Sequence, residues 1–170
     1  GRGRENRRPH SGGEAAQRVI MSVLKKKRSL SKAEFINVAH EIYIETIDFL
    51  TKLSARYSRL MAEPIARLAG EVQDNAEKAN SIYPSSDQRK QLREAYLLKA
   101  RASLMALDRR LGDVYEILSK NPQGCFTNSK GDTLPASEAT QKLDKRAQRL
   151  GELIDRENEL LKGATNALSK

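Results

Sequence analysis

Between Leu97 and Leu118 apolar residues recur at Leu97, Ala100, Leu104, Leu107, Leu111, Val114 and Leu118, with steps that alternate three and four. No seam position holds Gly or Pro, and Lys99, Arg101, Asp108, Arg109, Arg110, Asp113 and Glu116 occupy the turns between. This is the heptad pattern of an amphipathic helix whose apolar stripe needs partners of the same period. The chain supplies three. Phe35, Ala39, Ile42, Thr46, Phe49 and Leu53 form one seam, and Met61, Ile65, Leu68, Val72, Ala76 and Ala79 a second. The last runs through Leu143, Ala147, Leu150, Ile154, Leu161, Ala164 and Leu168.

Local signals set the boundaries. Ser31-Lys32-Ala33-Glu34 has capping-box spacing and predicts the start of a first helix that ends near Leu53. A break at Ser54-Ala55-Arg56 leads to a second helix that stops before Tyr83-Pro84, with at most a bend at Pro64. Ser85-Ser86-Asp87-Gln88 offers another capping box for the third helix, which Asn121-Pro122 terminates after about Lys120. Residues 121–136 exceed a simple helix–helix turn. Within them Cys125-Phe126-Thr127 and Asp132-Thr133-Leu134 flank Asn128-Ser129-Lys130-Gly131, a pattern that predicts a tiny β-hairpin. The segment is otherwise polar, so it is expected to add little to the core and to be dispensable for folding but not necessarily for assembly, with Phe126 available to plug a neighbour or cap the bundle end. The fourth helix spans about 136–166. Glu157 falls on its seam where an apolar residue is due, and three readings stand: it snorkels at a widening bundle end, it pairs with an Arg, or it serves a function.

Four such helices predict an all-α, up-down-up-down four-helix bundle with a long loop between helices 3 and 4. The bundle is assigned to residues 31–170, and residues 1–30 to a disordered basic tail poor in apolar side chains. Met21 is a candidate natural start, with residues 1–20 as upstream sequence. That topology would gather Lys25–Arg28, Arg89, Lys90, Arg93, Lys162 and Lys170 at one end, and Arg56, Arg59 and the long loop at the other.

Charge changes the picture more than composition does. The chain carries +9, which points to an acidic partner such as nucleic acid. Residues 1–30 hold nine basic side chains against Glu5 and Glu14, whereas residues 31–170 hold 22 basic and 20 acidic ones. Lys25, Lys26, Lys27 and Arg28 read either as a solvated run or as a phosphate-contacting arm. With aromatics at 5% and no Trp, stacking on unpaired bases has little to work with. No apolar run approaches a membrane span, and a single cysteine, Cys125, suits a reducing cytoplasm.

Catalytic chemistry finds no foothold in these residues. The two histidines, His10 and His40, sit in no Glu-x-x-His pair, and one Cys with two His cannot supply a usual four-ligand zinc site. No Gly-rich phosphate loop or nucleophile elbow occurs. Cys125 has no sequence-local base. No cofactor is expected, and the chain reads as a non-enzyme.

Ala39-His40-Glu41-Ile42-Tyr43 through Phe49-Leu50, then Tyr57-Ser58-Arg59-Leu60 into Ile65-Ala66-Arg67-Leu68-Ala69, carry a resemblance. So do Leu92-Arg93-Glu94-Ala95 onward to Leu107 and Arg109-Arg110-Leu111, and Leu150-Gly151-Glu152-Leu153-Ile154. Over about residues 32–165 the chain resembles a bacterial four-helix-bundle family. That family includes the accessory variability determinant of diversity-generating retroelements and the proteins encoded in 23S ribosomal RNA intervening sequences. The resemblance implies a homo-pentameric ring with a basic surface, working beside a reverse transcriptase and binding structured RNA or DNA. It implies contacts from Arg56, Arg59 and Arg67 on the second helix, and from Arg93, Arg109 and Arg110 on the third. The resulting expectation is a cytoplasmic, non-enzymatic nucleic-acid-binding accessory protein whose basic set also includes Lys25–Arg28, Arg89 and Lys90. The rival is a structural or protein-interaction bundle with no nucleic-acid role.

Overall fold

The seams become four helices: α1 Glu34–Lys52, α2 Ala55–Asn80, α3 Asp87–Lys120 and α4 Ala136–Ala167. The computed structural model describes residues 33–169. The expectations for Lys25–Arg28, Ser31 and the rest of residues 1–32 lie outside them. Each helix packs against two others, α1 on α2 and α4, α3 on α2 and α4, so the four enclose one core. Among the described residues no helix is long and apolar enough to cross a membrane.

The core follows the period of the sequence. Leu97, Ala100, Leu104, Leu107 and Leu118 of α3 are fully buried, Val114 nearly so, and Leu111 lies at the edge. On α1, Phe35, Ala39, Ile42, Thr46, Phe49 and Leu53 are all buried. Ile36, Val38 and Leu50 are buried as well, so α1 buries a wider face than its seam predicts. On α2 the small Ala69 takes the centre, and Leu68 is only partly buried. Pro64 lies within α2, where it lacks the amide that would bond the carbonyl of the exposed Leu60; the helix continues past it.

Helix α1 begins at Glu34 with Ala33 at the N-cap. Helix α3 is capped by Ser86, whose hydroxyl accepts the Arg89 amide at 3.3 Å, so the capping residue is one position later than the Ser85 box predicts.

The hairpin is present in miniature. Thr127 and Thr133 form an antiparallel bridge, and the Leu134 amide donates to the Phe126 carbonyl at 3.0 Å. The Asn128 side-chain oxygen accepts the amides of Lys130 and Asp132, and Gly131 supplies the positive φ of 84° that the turn needs. The expectation that residues 121–136 add little to the core is overturned. Cys125 and Phe126 are fully buried, and the segment is stitched to the α1–α2 junction. The Ser54 amide donates to Cys125 O, and the Thr127 amide to Lys52 O, both at 2.9 Å. An apolar pair inside a polar segment closes the bundle end.

Candidate nucleic-acid interface

Every arginine on α4 has a structural use. Arg146 reaches Glu45 at 3.2 Å and Asp48 at 2.6 Å, Arg149 reaches Glu41 at 3.2 Å, and Arg156 reaches Glu34 at 2.6 Å. The carboxylates are spaced by seven, four and three along α1 and the guanidiniums by three and seven along α4, so two stripes of opposite charge meet as a ladder. The Arg149 and Arg156 pairs are about half exposed and the Arg146 pairs less so, and each contributes modestly to stability. Their effect here is to neutralise the densest run of positive charge in the described residues. Lys145, on the same turn, has no carboxylate partner among the described residues.

The basic residues singled out from the sequence divide into two groups. Arg93 is half-buried and its Nη1 donates to the carbonyls of Ala79 and Ile82, both at 3.0 Å. It therefore satisfies the C-terminal end of α2. Arg67 lies between Glu63 at 3.8 Å and Glu71 at 3.5 Å, and Arg109 lies 3.6 Å from Asp113. Arg56, Arg59, Arg89 and Arg110 are exposed and have no carboxylate partner among the described residues. Lys90 lies in a cleft with Asp87, Glu94 and the α4 residues Thr165 and Asn166. Arg110 borders a crevice with Leu60, Met61 and Pro64, next to the first turns of α2 that carry Arg56 and Arg59. The α2–α3 side thus holds three guanidiniums without a carboxylate partner among the described residues, and of these Arg110 lines the crevice, as does Asp113.

Sequence reading missed Lys142, Lys145, Arg146 and Arg149, although their spacing marks one helical stripe. Lys142 places its ammonium 5.8 Å from the centre of the buried Phe126 ring. His40 is exposed, its Nδ1 3.3 Å from the Gln73 amide nitrogen. Burial pushes the Cys125 thiol up, which keeps it protonated.

Glu157 neither snorkels nor pairs with an arginine. It is 0% exposed, and both carboxyl oxygens lack a hydrogen-bond partner among the described residues. The neighbouring Arg156 turns outward to Glu34, and Arg101 donates instead to Asn158 Oδ1 at 2.9 Å. Burial first, and the Glu34 charge second, push the Glu157 carboxyl up to about 8. At neutral pH it is a carboxylic acid, because a charge in that core has nothing to compensate its desolvation.

No family model, curated protein or solved structure matches the chain.

Proposed function

We propose that this chain is a non-enzymatic nucleic-acid-binding accessory protein that recognises structured RNA or DNA through its phosphate backbone. The carrying observation is where the charge excess lies. Residues 33–169 contain twenty basic and twenty acidic side chains, so the whole +9 belongs to residues 1–32 and Lys170. A neutral body joined to a cationic segment suits electrostatic capture of a polyanion. The unpaired Arg56, Arg59 and Arg110 offer the body a contact face of its own, and Arg89 another.

An up-down-up-down course would gather these charges at bundle ends. The α1–α4 ladder ascends one helix as it descends the other, and the start of α3 lies beside the end of α4. Assembly into a homo-oligomer, cytoplasmic residence and work beside a reverse transcriptase belong to the same proposal, on the resemblance given above.

The test is titration of structured RNA and duplex DNA against the full chain at several salt concentrations. Affinity is expected to fall with a log–log slope of about 0.7–0.9 per phosphate contact. Changing Lys25, Lys26, Lys27 and Arg28 together to Gln should remove about four contacts from that slope. Changing Arg56, Arg59 and Arg110 to Gln should remove up to about three more, for all sequences alike. An unchanged slope in the second variant would confine binding to the basic segment. Absence of binding to both nucleic acids at physiological salt would sink the proposal. It would favour a protein partner on the α2–α3 crevice, where Leu60 is 76% exposed beside Ile117.

A further inference from the structure

Helices α3 and α4 are tied together by two polar pairs, with a groove between the ties. The Tyr115 hydroxyl donates to Asp144 at 2.7 Å on one side, and Arg101 donates to Asn158 at 2.9 Å on the other. Between these ties lie Gly112, Ala147 and Gly151, and the gap opens into a groove of about 240 Å³. Its walls are Leu111, Leu143, Leu150 and Ile154, and Phe49 of α1 closes the floor. A Cβ built on Gly112 or Gly151 meets nothing within 4 Å, so close helix packing does not require either glycine. Glycine inside a helix is destabilising relative to alanine, and here the space it leaves is empty.

The charges at the mouth have one sign in excess. Asp108 lines the groove, is exposed, and has no basic partner among the described residues. Asp144 lies at the Tyr115 tie, where its hydrogen bond first, and its charge second, raise the phenol pKa. Arg146, the one cation in the lining, is already shared between Glu45 and Asp48. Arg109 is held by Asp113, and Arg110 faces the α2 crevice. An apolar slot with an uncompensated carboxylate at its lip suits a ligand with a flat apolar body and a positive end.

We propose that the α3–α4 groove is a binding site for small aromatic amines, with the rings between Gly112 and Gly151 and the ammonium at Asp108. An apolar cavity of about 150 Å³ takes one benzene ring, so this groove has room for two fused rings. The site is separate from the α2–α3 arginines, and its test is independent of nucleic-acid binding.

The probe is 1-naphthylmethylamine, compared with the neutral 1-naphthalenemethanol and the anionic 1-naphthoate on the full chain. Ring fluorescence and saturation-transfer NMR read the binding. The amine is expected to bind with a Kd on the order of 0.1–1 mM, about three- to fivefold tighter than the alcohol, with the carboxylate weakest. Asp108→Asn should bring amine and alcohol to equal affinity. Gly151→Leu should abolish binding of both while the protein keeps its melting temperature or gains, which separates a filled groove from a misfolded chain. Equal affinity for all three probes in the wild type, or amine binding retained in Gly151→Leu, would overturn the proposal. So would the absence of saturable binding up to roughly 10 mM.

Discussion

Phe126 meets Phe49 edge to face, ring centres 6.0 Å apart and planes inclined by 70°, so the segment after α3 supplies a core residue to α1. Phe126→Ala is expected to cost about 3–5 kcal/mol, the usual penalty for emptying a buried aromatic site. Replacing 121–136 by a four-residue turn should lower the melting temperature at least as far. Thermal and urea unfolding measure both. A shortened chain as stable as the parent would show that the stitching at Ser54 and Lys52 is incidental.

Glu157 makes stability depend on pH in the direction opposite to a paired carboxylate. Its pKa rises from an ordinary 4.5 to about 8 in the folded chain, so the folded state holds the proton more tightly. The stability gap between wild type and Glu157→Gln should be constant below about pH 4.5. It should then move against the wild type as pH rises to about 8, by on the order of 5 kcal/mol in total. Urea titrations of both proteins from pH 4 to 9 read this gap directly. A gap that does not move with pH would mean that the carboxyl is solvated. Glu157→Leu, which removes the buried acid, is expected to stabilise the protein most at the alkaline end.

Leu107 is fully buried at the middle of the α3 seam. Leu107→Ala should cost about 2–5 kcal/mol, whereas Glu94→Gln on the exposed face should stay within about 0.5 kcal/mol. Differential scanning calorimetry on the pair tests the placement of the seam. Near-equal values would mean the seam is misassigned.

Arg93 is expected to behave as a fold residue. Arg93→Gln leaves the Ala79 and Ile82 carbonyls without their charged donor and should cost about 1–3 kcal/mol. Arg89→Gln, three residues from the Ser86 cap and exposed, should cost little. If nucleic-acid affinity instead fell for Arg93→Gln with no change in melting, the guanidinium would be serving a ligand.

Gly112→Ala and Gly151→Ala should each raise stability by about 0.5–1 kcal/mol, since the added methyl meets open space and helix propensity improves. Melting curves decide. A loss at either position would mean that the helices close on the gap.

The helices themselves could be read from the chain because periodicity and caps are local. Phe35 to Leu53 and Leu97 to Leu118 announce buried stripes by spacing alone, and Asn121-Pro122 stops α3 wherever it packs. The 127–133 hairpin was legible for the same reason, since Asn128 and Gly131 build its turn from their own backbone preferences. The partners of charged and polar groups were not. Arg93 is set by carbonyls 11 and 14 residues away, Arg146 by a carboxylate 101 residues away, and Phe126 by a ring on another helix. The spacing of Glu157 marked an anomaly, yet its state depended on its full burial and on Arg156 turning outward to Glu34 instead of pairing with it. Hydrophobic period decides which face is buried, but pairing and ionisation depend on which atoms approach within a few ångströms, and only the packed helices determine that.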